Sequence, residues 1–331
     1  MKTLDRKLGA ILRGSGARTD FIIADAKDAD MGGGRPAPGP ERGADGRPLD
    51  ALRPLAGYLD EIRAITGQGI VDVMLVSSST LEQLGTEIFE SSPVTPAIRA
   101  NDTTDIWGVR GGAYASKPSR PFRTASLSRA RELGCDLCLY SITFNNRVDD
   151  DVRSLEAFAD FREDAERCGM RYFLEVFNPN VEAGLASLEE TGAYVGDCII
   201  RCFAGLTRAE RPSFLKIAYN GPRAMGELCS YDPELVVGIL GGAAGTNRDT
   251  FQLLSDAQRD GARVALFGRK IKLAESPLEM VRHMRRVVDG ELSPEEAVHE
   301  YHAAIRADGL VPARALEDDL RITEPALLAG A

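Results

Sequence analysis

Histidine is scarce in this chain: there are three, His283, His299 and His302, all near the C-terminal end. Zinc centres of enzymes draw heavily on imidazole, and nucleophile-and-base pairs commonly use it too. Both chemistries therefore lack their usual parts, and cations at a central site are expected to be Lys or Arg. Long apolar runs are missing as well. No stretch reaches the roughly 20 residues that span a bilayer, and MKTLDRKLGAILRGSGART lacks the sustained apolar core of a signal peptide. Those two absences make a membrane partner unexpected and the cytoplasm the expected location. Basic residues do not dominate either: Lys and Arg number 40 against 50 Asp and Glu, a net charge of −10. A nucleic-acid partner is not expected of such a balance. Six cysteines include one C-x-x-C, Cys135 and Cys138, with no second pair or nearby His to complete a metal site. They are expected to be buried packing thiols, with the C-x-x-C pair on opposite faces of one strand.

Short β-branched and aliphatic runs alternate with amphipathic, charged stretches. Eight strands are predicted, at 21–27, 71–78, 95–102, 135–144, 171–178, 214–221, 234–242 and 262–271. Strands that alternate with helices imply a parallel sheet, and eight of them imply closure. The expected fold is α/β, a single (β/α)₈ TIM barrel over 1–331 with additional C-terminal helices at 277–308. Ser293 and Glu296 make a capping box for the last of these. An open doubly wound sheet is the alternative. It would be expected to carry a G-x-G-x-x-G fingerprint after its first strand, and the glycines of DADMGGGRPAPGPERGADGRP lack that spacing. The 31–50 and 107–126 stretches are expected to be long loops at the barrel mouth.

Reacting groups of this fold sit where strands end. That rule selects Asp25, Lys27 and Asp28; Ser77 to Ser79; Arg99, Asn101 and Asp102; Tyr140, Thr143 and Asn145; Glu175 and Asn178; and Lys216, Tyr219 and Asn220. Lys216 is unusual, a lysine inside the apolar run FLKIAYNG. A buried amine loses solvation and can attack a carbonyl, and the iminium so formed withdraws electrons from the neighbouring carbon–carbon bond. A structural ion pair with Glu175, the carboxylate of YFLEVFN, is the competing explanation. Glu175 itself could move protons or bind hydroxyls. Tyr140, taken alone, is expected to pack. Gly241, Gly242 and Gly245 after the seventh strand, with Gly268 and Arg269 after the eighth, fit a phosphate site of backbone N–H groups and a forked cation. Lys270 and Lys272 are expected to face solvent.

These residues resemble the class I (Schiff-base) aldolases related to tagatose-bisphosphate aldolase and to archaeal-type fructose-bisphosphate aldolase. The archaeal-type K-x-x-Y-T-G is matched by Lys216-Ile217-Ala218-Tyr219-Asn220-Gly221, and G-A-D-A-V-x-Y by Gly134 to Tyr140. The tagatose-type F-L-E-V is matched by Phe173 to Val176, and Asp25 matches an aspartate that ends the first strand. The chain departs from the tagatose-type pattern at Leu139, where that family has a lysine, and at Ala26-Lys27, where it has Gln-Arg. The resemblance implies a metal-independent aldolase with no cofactor, acting on a phosphorylated ketose through an imine on Lys216. Tyr140 would then transfer protons, with Glu175 and Asp25 as alternatives or hydroxyl partners. Gly241, Gly242, Gly268 and Arg269 would hold a phosphate, and Lys27 a second anionic group. A homo-oligomer is expected by the same likeness. A sugar-phosphate lyase or isomerase without an imine, or a non-catalytic sugar-phosphate-binding barrel, would keep the same fold.

Overall fold

The computed structural model describes residues 1–101 and 108–328, so Asp102 and Trp107 of the sequence expectations lie outside the described residues. Eight parallel strands close into a barrel: β1 (Ile22–Lys27), β2 (Val73–Val76), β3 (Thr95–Arg99), β4 (Leu137–Thr143), β5 (Arg171–Phe177), β6 (Leu215–Ile217), β7 (Gly238–Leu240) and β8 (Val264–Phe267). Each pairs with its sequence neighbour, and β1 pairs with β8 from Ile22↔Val264 to Asp25↔Phe267. The eight predicted strands are all present, trimmed at their ends. Lys270 and Ile271, read as strand, belong instead to a short helix, Arg269–Lys272.

Period-2 alternation sorts every strand residue into one of two layers. Ile22 and Ala24, Val73 and Leu75, Leu137 and Leu139 fill the lumen. Ile23, Met74, Cys138 and Tyr140 pack instead against the surrounding helices. The lumen's lower end is closed by a helix at Thr3–Leu12, which the sequence reading did not foresee. Its Leu4 and Leu8 join the interior cluster, each contributing about 1.5–3 kcal/mol by burial. Higher in the lumen Phe173 and Phe214 stack with ring centroids 4.5 Å apart. They form an aromatic floor two residues before Glu175 and Lys216.

The stretch 31–50 is not a plain loop. It holds a one-turn helix, Asp30–Gly33, and most of a hairpin, Pro40–Arg42 with Pro48–Leu52. The helices Pro277–Asp289 and Pro294–Ala307 are present, the second with its Ser293–Glu296 capping box. The helix Asn247–Arg259 is capped one residue earlier than its Asn-Arg-Asp start suggests, by Thr246 with Asp249. All six cysteines are free thiols. Cys135 and Cys138 both face the helix layer rather than opposite sides, because Cys135 lies before β4 begins. Among the described residues no helix is long and apolar enough to cross a membrane.

Candidate active site

Register builds the site. Ser141 on β4 stands opposite Glu175 on β5, and Glu175 opposite Lys216 on β6. One row across three strands thus carries a hydroxyl, a carboxylate and an amine, all with lumen parity. Lys216 Nζ contacts Glu175 Oε1. The other oxygen, Oε2, accepts from Ser141 Oγ at 2.7 Å. Arg99 at the end of β3 extends the row: its Nη2 donates to Ser141 Oγ at 3.2 Å and its Nη1 lies 3.8 Å from Glu175 Oε2. Nη1 also binds Asp28 Oδ2 at 2.7 Å. Asn101 braces Ser141 from behind, accepting from its N–H at 2.7 Å and donating to its carbonyl at 2.8 Å. The chain of contacts therefore runs Asp28–Arg99–Ser141–Glu175–Lys216 without a break.

The ion pair weighed against a nucleophilic role for Lys216 is present, but it is not sealed in the core. Glu175 and Lys216 open onto a cavity of ≈ 500 Å³ at the C-terminal ends of the strands. Ala26, Asp28, Arg99 and Phe177 share its wall, and so do Gly241, Gly242, Gly268 and Arg269. Gly32, Gly33, Pro36 and Ala37, with Gly108 and Tyr114, bring both long connections to its rim.

Glycine is required at two of these positions. Gly242 has φ +63°, a conformation that side chains disfavour. A Cβ on Gly268 would sit 2.9 Å from the Ala26 carbonyl. The Arg269 side chain makes no hydrogen bond or ion pair among the described residues, so its fork is open to a ligand. Lys272, one turn further along the same helix, also lines the cavity and donates to the Ala37 carbonyl at 2.5 Å. Burial, with repulsion from Lys27, pushes its amine down to about 8.

Several expected site residues are not brought together. Tyr140 points away from the lumen and stacks on Phe161 at 4.3 Å between centroids. Burial raises its phenol far above the ordinary range. The proton-transfer role expected of it is corrected by parity: residues 139, 141 and 143 face inward, and 140 cannot. Asp25 and Lys27 fail in the same way. Both are fully buried on the outer side of β1, where Lys27 Nζ lies 3.2 Å from Asp25 Oδ2 and 2.8 Å from Glu61 Oε1. The residues of that segment that reach the cavity are Ala26, Asp28 and Ala29. Lys27 therefore does not offer the second cation; Lys272 occupies the cavity instead of solvent. Tyr219 also turns outward, donating to Asp260 at 2.7 Å. The three histidines lie on the two C-terminal helices, His283 and His302 in the core and His302 on Asp319 at 2.8 Å.

No protein-family model matches the chain, and no curated protein matches it. Solved structures do. An archaeal fructose 1,6-bisphosphate aldolase superposes with a TM-score of 0.63 at 18% identity, over 87% of this chain and 99% of that one. The archaeal fructose-1,6-bisphosphate aldolase whose catalytic Lys is covalently bound to the carbinolamine intermediate of its substrate gives 0.62 at 18%, over 87% and 100%. The fructose-bisphosphate aldolase of Slackia heliotrinireducens gives 0.64 at 13%, over 91% and 90%. The fold is theirs. A further structure, described as that of the Schiff-base-forming fructose-1,6-bisphosphate aldolase, superposes with a TM-score of 0.62 at 17% identity, so the likeness in fold extends over most of the barrel.

Proposed function

We propose that this chain is a class I aldolase that cleaves or forms a carbon–carbon bond in a phosphorylated ketose through a Schiff base on Lys216. The observation that carries the reading is the placement of Lys216 Nζ against Glu175 on the wall of the mouth cavity, in the same cavity as the unpartnered Arg269. Attack on a ketone needs a free amine, and the Glu175 carboxylate is positioned to take the ammonium proton. The nitrogen adds to the carbonyl carbon, and the carbinolamine oxygen leaves as water with a proton returned by Glu175. The iminium then accepts the electron pair of the scissile bond as a base removes the hydroxyl proton from the departing aldehyde carbon. Asp28 and Glu175 are the carboxylates of the cavity wall able to accept that proton. Ser141 and Arg99 hold Glu175 in place. Gly241, Gly242, Gly268 and Arg269 supply the phosphate end, and Lys272 adds a second cation.

Borohydride reduction in the presence of ketose phosphates, followed by peptide mass spectrometry, tests this reading. The expected result is a reduced adduct on Lys216 and on no other lysine. A broad panel that leaves Lys216 unmodified would sink the imine and favour a lyase, isomerase or binding barrel that works without one.

A further inference from the structure

The C-terminal segment after Ala307 has no part in the chemistry above, yet it grips the connections that follow β7 and β8. Asp249, in the first turn of the helix after β7, is fully buried and receives four hydrogen bonds. One comes from Thr246 N at 2.9 Å. The other three come from the C-terminal segment: Thr323 N at 2.7 Å, Thr323 Oγ1 at 2.5 Å and Glu324 N at 3.2 Å. Thr246 returns a bond from its hydroxyl to the Arg321 carbonyl at 2.7 Å. Upstream, Asp319 accepts from Asn247 N at 2.8 Å.

The second grip is ionic. Lys270, adjacent to Arg269, has a fully buried side chain whose Nζ lies 2.7 Å from Glu324 Oε1 and donates to the Ala244 carbonyl at 3.3 Å. Ala244 follows Gly241 and Gly242 on the β7 connection. A single ammonium thus stitches the two connections together, and Glu324 supplies its only carboxylate partner among the described residues. A buried ammonium stripped of its counter-charge does not stay where it is, so the stitch depends on the C-terminal segment.

We propose that Glu324 and Thr323 are positioning residues that set the spacing between Gly241–Gly242 and Arg269, and so set affinity for a phosphate monoester. This rests on the anion subsite of the proposed function. Glu324 touches no ligand; it acts through Lys270.

The test uses the full-length protein, inorganic phosphate in isothermal titration, and borohydride trapping with dihydroxyacetone, a neutral ketone. Glu324→Gln is expected to bind phosphate about tenfold more weakly or worse, since small misplacements of a clamp cost this much. Its circular dichroism and its trapping by dihydroxyacetone should match wild type. Pairing it with Lys270→Gln restores a neutral hydrogen-bonding stitch and should recover most of the lost affinity. Wild-type phosphate affinity in Glu324→Gln would overturn the proposal, as would a parallel loss of trapping, which would signal general damage. Should Glu324→Gln not fold, Thr323→Val decides in its place: weaker phosphate binding supports the strap, and unchanged binding overturns it. Wild-type protein that binds no phosphate removes the subsite and the strap together. Wild-type protein that binds phosphate but is never trapped removes only the imine.

Discussion

Two lysines of this barrel are buried on strands beside carboxylates, and they could hardly differ more in what they can do. Lys216 on β6 meets Glu175 across the lumen face and opens onto the mouth cavity. Lys27 at the end of β1 meets Asp25 and Glu61 in the layer between barrel and helices. Burial pulls the Lys27 amine down, but Asp25 and Glu61 outweigh it and the net shift is upward. Asp25 itself is pushed up to about 6 by burial. That cluster is a sealed structural device, with Tyr58 donating to the Lys27 carbonyl at 2.7 Å to close it. Neither burial nor pairing distinguishes a candidate nucleophile from a structural charge. Access to a cavity does, and access is decided by parity.

The comparison is broken most directly by exchanging each lysine for methionine. Lys216→Met is expected to lower turnover by about 10³-fold or more and to abolish trapping, with phosphate binding and stability retained. Lys27→Met should do the reverse. It leaves the buried Asp25 without a cation and Glu61 with Arg53 alone, costing about 3–5 kcal/mol in urea unfolding, while the folded fraction is still trapped at Lys216. Equal loss of trapping in both variants would erase the distinction.

A smaller effect sharpens the contrast between Lys27 and the cavity cation Lys272. With its amine pushed down to about 8, Lys272 is charged below that pH and loses its proton as pH rises through it. Sulfate, which does not titrate in this range, should bind roughly five- to tenfold more weakly at pH 9 than at pH 7. Lys272→Met should bind it weakly and almost equally at both, as read by titration calorimetry.

The least effect is expected at Tyr140. Tyr140→Phe should change turnover by less than about twofold and stability by no more than about 1 kcal/mol. A hundredfold fall in turnover would mean that the lumen parity of β4 has been assigned to the wrong residues.

Parity also explains how much of the site was legible beforehand. Applied to β6, it puts Phe214, Lys216 and Ala218 on one face, the face on which Lys216 meets the mouth cavity. The same alternation on β4 and β1 separates Ser141 from Tyr140 and Asp28 from Asp25, but the short motif matches drew attention to Tyr140 and Asp25 instead. Ser141 was missed because the predicted strands 135–144 and 171–178 differ in length and leave the register open, which the structure sets at Ser141↔Glu175. Lys272 was readable as one turn beyond Arg269 once the chain after β8 is taken as helix rather than strand. The fold came through because eight apolar runs and their spacing survive any error at strand ends. The N-terminal helix and the Asp249–Thr323 network did not, since both depend on partners distant in sequence that no local pattern announces.

The seam between β1 and β8 has a consequence for how the molecule is made. Ile22 and its partner Val264 are roughly 240 residues apart, so at about 5–20 residues per second the first strand waits at least ten seconds or so for its neighbour. Through that interval β1 presents an unpaired edge, with Phe21 and Ile23 facing a helix layer whose members at 277–307 have yet to be translated. The β1 edge of a nascent chain is therefore open to mispairing until β8 has emerged to cover it.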